Sequence, residues 1–308
     1  MAIQREIWQD HIEGNLFKNN EVLLCSTDAS QYVLQGKVVH IPQAGATPTI
    51  TKNQTSLPVT VVQRTDTDIT YSLDQYTSAP ILIPNADAVE LSYNKRESVL
   101  GEHESSLRET VAENILYSWA PTAATTSNII RTTGVSTATH LSGTTGTRSR
   151  FGVADLKKAG TLLDKQNVPM EGRVALISAD MFSQLTDDMS ATQYRDFSAA
   201  YDVKNGKLGR LFGFDIYMRS TTVSYTNAGT PVKNAVGAAA NADDNDAVIC
   251  WQVNAVERAQ GEIRFFEKIG DPQYYGDVYS LLVRIGARIR RSDEKGVVAI
   301  VQGVPAGV

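Results

Sequence analysis

One stripe constrains the fold more than any other feature. Val99, His103, Leu107, Val111, Ile115 and Trp119 recur at every fourth residue, and Leu100 and Leu116 widen the band. The spacing predicts an amphipathic helix over residues 95–119. A step of four advances each side chain by about 40° around a helix of 3.6 residues per turn. The apolar seam therefore winds around a cylinder ~36 Å long, and more than one layer has to cover it. Pro121 stops the helix. Glu102, Glu104, Arg108, Glu109 and Glu113 fall on the polar side, and His103 reads as a packing residue.

A helix of this kind needs sheets to pack on. The clearest strand lies near the end of the chain, where Val283, Ile285, Ala287 and Ile289 alternate with Arg284, Gly286, Arg288 and Arg290. That period of two predicts an apolar face and a basic face. A last strand is expected over 297–301. Residues 36–91 also read as β. Strands are expected at 38–41, 59–62, 69–73 and 81–84, with a turn-rich tip over 42–57. The apolar runs there are short and the polar runs long, so a hairpin of this composition needs a partner surface.

Between these lies an α/β pattern. Residues 153–166 predict a helix and 173–178 a buried strand. A short helix holding Met181, Phe182 and Leu185 follows, capped by Ser178 or Asp180. Strands are expected at 212–217 and 247–253, with a turn or short helix at 255–260. Two small-residue, polar tracts, 121–150 and 221–246, read as linkers. Asp243-Asp244-Asn245-Asp246 lacks the glycine and closing glutamate of a calcium loop and reads as a solvated acidic turn. Residues 1–33 read as weakly structured, with Trp8 and Phe17 as apolar anchors. The residues leave open whether those anchors pack on their own domain or on a neighbour.

Composition and motifs narrow the function. The chain has 308 residues, 42% hydrophobic and 20% charged, with a net charge of -5. That length allows one large or two modest domains. The charge does not mark a dedicated nucleic-acid-binding module. Cys25 and Cys250 form no framework or metal pair, and both are expected to be reduced. The start of the chain lacks the apolar core of a signal peptide, and no run reaches membrane-spanning length. A protein kept in the cytoplasm, without a membrane partner, is expected. Gly101-Glu102-His103-Glu104 begins like a zinc-protease helix, but Leu107 stands where the second histidine belongs. Asn205-Gly206-Lys207-Leu208 resembles the end of a phosphate loop, but Tyr201 and Leu208 replace the required glycine and hydroxyl. No catalytic, metal or cofactor residues are assigned, and no cofactor is expected.

The order of elements resembles the major capsid proteins of tailed bacteriophages, the Hong Kong ninety-seven capsid fold, which encapsulin shells share. Local phrases carry the likeness: Thr77-Ser78-Ala79-Pro80-Ile81-Leu82-Ile83 before the helix, and Asp164-Lys165-Gln166-Asn167-Val168-Pro169 followed by Gly172-Arg173. Leu208-Gly209-Arg210-Leu211-Phe212-Gly213-Phe214 and Tyr274-Tyr275-Gly276-Asp277 add to it. The resemblance implies an α+β fold in five parts. These are an N-terminal arm (1–35), an extended β-hairpin loop (36–93), a peripheral domain with a spine helix (94–150), an axial domain (151–255) and returning peripheral strands (256–308). It implies a non-enzymatic subunit that self-assembles into hexamers and pentamers of an icosahedral capsid around double-stranded DNA. Trp8, Phe17, Lys52, Asn53 and Leu57 are the expected contacts between subunits.

Arg284, Arg288 and Arg290 are the candidates for loose, sequence-independent contact with packaged DNA. Partners would be many copies of the chain itself, a portal and other virion proteins, and a separate scaffold in some cases. The site of action would be the virion capsid, assembled in the host cytoplasm. Some shells of this family crosslink a hairpin lysine to an asparagine. Lys52 sits near the tip, but a lone lysine is expected to stay solvated and unlinked. The arm begins almost at Met1, so no long cleaved scaffolding segment is expected: scaffolding is a separate protein, or none is needed, or only a few residues are lost. An encapsulin-type compartment with the same fold, or an enzyme with an unrecognised site, are the alternatives.

Overall fold

The expected helix runs over Lys95–Trp119 and is α1. Leu100, Leu107, Val111, Ala112, Ile115, Leu116 and Trp119 are buried, so the winding stripe is the packed seam. This computed structural model describes residues 12, 16, 20–33, 38–43, 45, 49–55, 58, 59, 61, 63–84, 95–122, 127–202 and 206–303. Side chains of 95–99 are outside that set.

In chain order the strands are β1 (Thr27–Asp28), β2 (Val38–Gln43), β3 (Thr67–Ser72), β4 (Asp74–Thr77) and β5 (Ile81–Pro84), all before α1. After it come β6 (Ile129–Arg131), β7 (Ser136–Ala138) and β8 (Thr147–Ser149). Then follow helix α2 (Val153–Lys165), β9 (Arg173–Ser178), helices α3 (Ala179–Asp188) and α4 (Ala191–Ser198), β10 (Lys207–Leu211), β11 (Phe214–Arg219) and β12 (Ala247–Gln252). The chain closes with β13 (Val256–Asp271), β14 (Gly276–Ile289) and β15 (Val297–Val301).

Two sheets share α1. In the first, β14 lies between β13 and the pair β4 and β5, and β1 flanks β13. The alternation read in the sequence sets its faces: Val283, Ile285 and Ile289 are buried, whereas Arg288 is exposed. The second sheet has six strands in the order β10-β11-β9-β12-β15-β6. Its central strands β9, β12 and β15 are buried along their whole length, as strands covered on both faces must be.

One continuous apolar cluster runs from Leu107, Val111, Phe265 and Val283 to Trp119, Leu176, Ile249, Trp251 and Ala299. It therefore joins both sheets through α1. The opposite face of the six-stranded sheet packs under α2 and α3, with Leu156, Leu163, Met181, Leu185, Ile216, Val248 and Ile300. Ser178 caps α3 by accepting the Met181 N–H.

Several expectations change. Of the strand expected at 59–62, Val59 and Val61 are exposed and outside any strand, and residues 60 and 62 lie outside the described residues. The hairpin is β2 paired with β3 alone, from Val38 opposite Ser72 to Gln43 opposite Thr67. β4 and β5 leave it to pair with β14, where Ile83 finds burial, and Leu73 ahead of β4 is buried with Val39 and Ala259. Phe212 and Gly213 are a turn and not strand, since both have positive φ (49° and 83°). That is the handedness a two-residue hairpin turn needs, and the apolar Phe-Gly-Phe run disguised it. Residues 253–255 form one 3-10 turn, and 256 onward opens β13. Alanine and charged residues there masked the alternation.

Glu104, read on the polar side of α1, is buried. α4 was not anticipated. β6 and β15 join the six-stranded sheet, so sheet membership crosses the expected boundaries at 150 and 255.

Trp119 sits at the junction, fully buried, 5.4 Å from the ring of Trp251, with its indole N–H donating to Glu257 O at 3.0 Å. Trp119→Ala is expected to cost about 3–5 kcal/mol. Against a typical total of ~5–15 kcal/mol this leaves a marginal subunit. Urea unfolding of the unassembled variant checks it; an unchanged midpoint would contradict the shared-core assignment.

Candidate assembly surfaces

The hairpin carries apolar side chains with nothing of their own to cover them. Ile50 is 94% and Val61 95% exposed. Lys52 and Asn53 form the exposed turn between them, Asn53 in the left-handed region at φ 56°. Polar contacts cross the stem. His40 Nδ1 lies 2.5 Å from Asp68 across the strands. Asp66 accepts the Gly45 N–H at 2.8 Å and faces Arg64, which together hold its carboxyl below the usual range. Trp8, Phe17 and Leu57 lie outside the described residues. Ile12 and Leu16, four residues apart, are buried in the main core. The sequence reading passed over that pair, although its helical spacing was the available signal.

The three arginines separate. Arg284 is half-buried and has no ion pair among the described residues. Arg288 is exposed and donates to Thr70 O at 2.6 Å, tying β14 to the hairpin stem. Arg290 lies past the end of β14, with Nε 3.2 Å from Glu257 Oε2. Tyr71 donates its hydroxyl to the other oxygen of Glu257 at 3.0 Å. Burial raises the Glu257 pKa, and the Tyr71 hydrogen bond and the Arg290 charge only partly offset it. Arg290, at the surface itself, is therefore tied to the buried Glu257, whereas Arg284 and Arg288 have no carboxylate partner among the described residues.

The two tracts read as linkers fold on each other. β7 and β8 pair, and Thr145 N donates to Ala242 O at 3.0 Å. The Arg148 guanidinium reaches four carbonyls, those of Thr145, Thr147, Ala242 and Asp244. The expected solvated acidic turn is instead buried at Asp244, Asn245 and Asp246. Its carboxylates have donors to satisfy them, which makes burial affordable.

Asp246 accepts from Ser178 Oγ, from Thr222 Oγ1 at 2.8 Å and from Ala247 N at 2.8 Å, and His140 Nε2 lies 2.9 Å away. Serine, histidine and aspartate meet here, but the carboxylate stands between the other two. The imidazole therefore does not reach the hydroxyl, which already caps α3. Among the described residues no group of three or more His, Cys, Asp or Glu is placed to hold a metal. Lys233 closes the assembly. Its ammonium donates to Tyr117 O (2.7 Å) and Ala120 O (3.0 Å) at the end of α1 and lies 4.3 Å above the Tyr117 ring.

A spine helix shared by two sheets, a projecting hairpin and uncovered apolar tips describe a subunit shaped by contacts with copies of itself. Residues 23–301 match the sequence model of a family described as phage capsid protein. The chain belongs to that family and is a structural subunit of a phage capsid shell. Among curated proteins none matches it. The fold is similar to the capsid of the cyanophage P-SCSP1u (17% identity, 90% of this chain and 86% of that one, TM-score 0.61). It is also similar to the capsid of Ralstonia phage GP4 (12%, 92% and 88%, TM-score 0.65). A third likeness is to the head of Helicobacter pylori bacteriophage KHP40 (11%, 91% and 89%, TM-score 0.59).

The His140 contact generates a pH dependence. Burial pulls its pKa down, but the hydrogen bond and charge of Asp246, with a further pull from Asp180, outweigh this and leave it above 6.5. A raised folded-state value means stabilisation that is complete below the ordinary histidine value and lost as pH rises through the folded one. Protease resistance of residues 139–146 is therefore expected to be greater near about pH 6 than near about pH 8.5. His140→Gln should flatten the profile. An unchanged profile in that variant would remove His140 as its source.

Proposed function

We propose that this subunit is the non-enzymatic building block of an icosahedral head. It assembles in the host cytoplasm into hexamers and pentamers that enclose double-stranded DNA. In this reading residues 1–35 are an arm and 36–93 an extended loop that lies on a neighbour. Helix α1 with β13 and β14 forms the peripheral part, and the six-stranded sheet the axial part. The observation that carries it is the hairpin tip: Ile50 and Val61 are almost fully exposed, a state that costs about 1.5–3 kcal/mol per side chain relative to burial. A neighbouring copy is the surface that every shell position guarantees. Contacts of this repeated, symmetric kind close a shell without a single strong site. A portal, other virion proteins and a separate scaffold complete the set of partners.

Electron microscopy of the purified protein tests the central claim. Closed particles are expected, with the 49–61 segment cut rapidly by protease in free subunits and protected in particles. Persistent monomers under all assembly conditions, or equal cutting in both states, would overturn it.

The DNA reading also gains a sharper test from the separation of the arginines. Arg284→Gln with Arg288→Gln should leave shell yield unchanged and lower the retention of packaged DNA on heating. Contact there is loose, screened within about 8 Å at physiological salt. Arg290→Gln should instead lower the melting temperature of the subunit, because Glu257 loses its cation. Equal behaviour of the two variants would reject the division.

A further inference from the structure

We propose that the stem of the hairpin is clamped to the back of β13 and β14, with Tyr71 as the catch, so that each subunit sets the direction of its own hairpin before a neighbour meets it. This rests on the reading of the hairpin as the loop that lies on a neighbour, and adds what controls its position. β2 and β3 form a two-stranded sheet that pairs with neither larger sheet. Such a ribbon is marginal in water by itself, so its direction depends on what the stem rests on.

The seat is made of small residues. Ala259 and Gly286 are paired across β13 and β14, on the face opposite Val283 and Ile285. A Cβ on Gly286 would stand 3.0 and 3.1 Å from two ring carbons of Tyr71 and 3.2 Å from Ser72 O. The ring therefore lies on bare backbone. A Cβ on Gly261 would stand 3.6 Å from Leu73 Cδ1. Ala29, Val39, Leu73 and Ala259 close over this seat into a small apolar cluster, separate from the core joined by α1.

Polar contacts fix the angle. The Tyr71 hydroxyl donates to Glu257 Oε1 at 3.0 Å. Glu257 is buried and is itself held from behind, since its backbone O accepts the Trp119 indole N–H at 3.0 Å. Further along β14, Arg288 donates to Thr70 O at 2.6 Å, and past its end Gln43 Nε2 donates to Arg290 O at 2.6 Å. The stem is thus held from Tyr71 to Gln43 along residues 286–290, while Ile50 and Val61 stand exposed beyond it. A neighbour that meets a set stem orders only the tip. A hairpin swinging from its base would lose that freedom at every contact, and each contact would be weaker for it.

The free subunit decides. Dissociated subunits carry spin labels at Thr67→Cys, exposed at the far end of the stem, and at Thr161→Cys, exposed on α2, in a Cys25→Ser background. One narrow distance is expected. Tyr71→Ala and Glu257→Leu should each broaden it roughly two-fold without changing the circular dichroism spectrum. Glu257→Gln keeps an acceptor for the hydroxyl and should stay narrow. A broad distribution without these substitutions, or a narrow one in natively folded Tyr71→Ala, overturns the clamp. Gly286→Ala, which only lifts the ring from its seat, replaces either variant that does not fold and is read in the same way.

Assembly gives the second readout. Tyr71→Ala is expected to form particles roughly ten-fold more slowly at equal final yield. An equal rate rejects the claim that the clamp prepares the hairpin for a neighbour. Absence of particles from the unmodified protein would overturn the shell reading itself, and the distance between labels, measured without particles, would still decide the clamp.

Discussion

The burial of Trp119 is the interaction on which the rest of the subunit depends. Its ring meets Trp251 from β12, and its N–H meets Glu257 O at the start of β13, so one side chain touches both sheets. Trp251 in turn donates to Cys25 O, which ties the start of the described chain to the same point. A helix with a straight apolar seam would serve one sheet. The four-residue step rotates the seam by about 40° each time, and over the length of α1 that suffices to turn it from the β14 sheet to the six-stranded one. The seam that meets both sheets is thus written in the spacing of Leu107, Val111, Ile115 and Trp119.

Away from that junction the subunit is held by polar groups where apolar ones are scarce. The two tracts at 127–149 and 221–246 have few large side chains, and Asp246, Arg148 and Lys233 act in their place. Each gathers several backbone or hydroxyl partners, the condition under which a buried polar group stabilises rather than costs. Lys233 has a second effect: burial lowers its pKa, and the charge of Glu294 only partly offsets this, while its ammonium donates to the carbonyls at the end of α1. The C-terminus of the spine helix is therefore capped from the tract, and loosening the tract would fray the helix beside Trp119.

These networks explain what was legible in the sequence and what was not. The bounds of α1, the central strands β9, β12 and β15, and the faces of β14 follow from period and continuous apolar runs, which burial on one or both faces enforces. The folding of the tracts was not legible. His140 and Asp246 lie 106 residues apart and each sits in polar surroundings, so neither carries a local signal. The turn at Phe212-Gly213 was missed because a bulky residue occupies a position that ordinarily selects Asn or Asp. Of the surface residues, Arg290 looked like its neighbours by alternation. Its partner Glu257 came from a strand whose start had not been recognised.

A shell subunit has to be stable alone yet incomplete alone, and the distribution of apolar side chains meets both demands. The core joined by α1 is closed, with Leu107, Ile115, Trp119 and Val283 withdrawn from water. Ile50 and Val61 on the hairpin remain in water, as do the rings of Tyr274 and Tyr275 at the β13–β14 turn. Tyr275 also holds a left-handed φ of 52°, a conformation that is unusual for a bulky side chain. Exposed apolar groups on narrow projections bury little area in any one contact, so each contact by itself is weak and reversible. Weakness has a use in assembly: a misplaced copy departs before neighbours trap it, while a correctly placed one gains several contacts at once and dissociates slowly. Strength in the core and weakness at the tips are therefore two sides of one constraint, and moving apolar residues from one to the other would harm both.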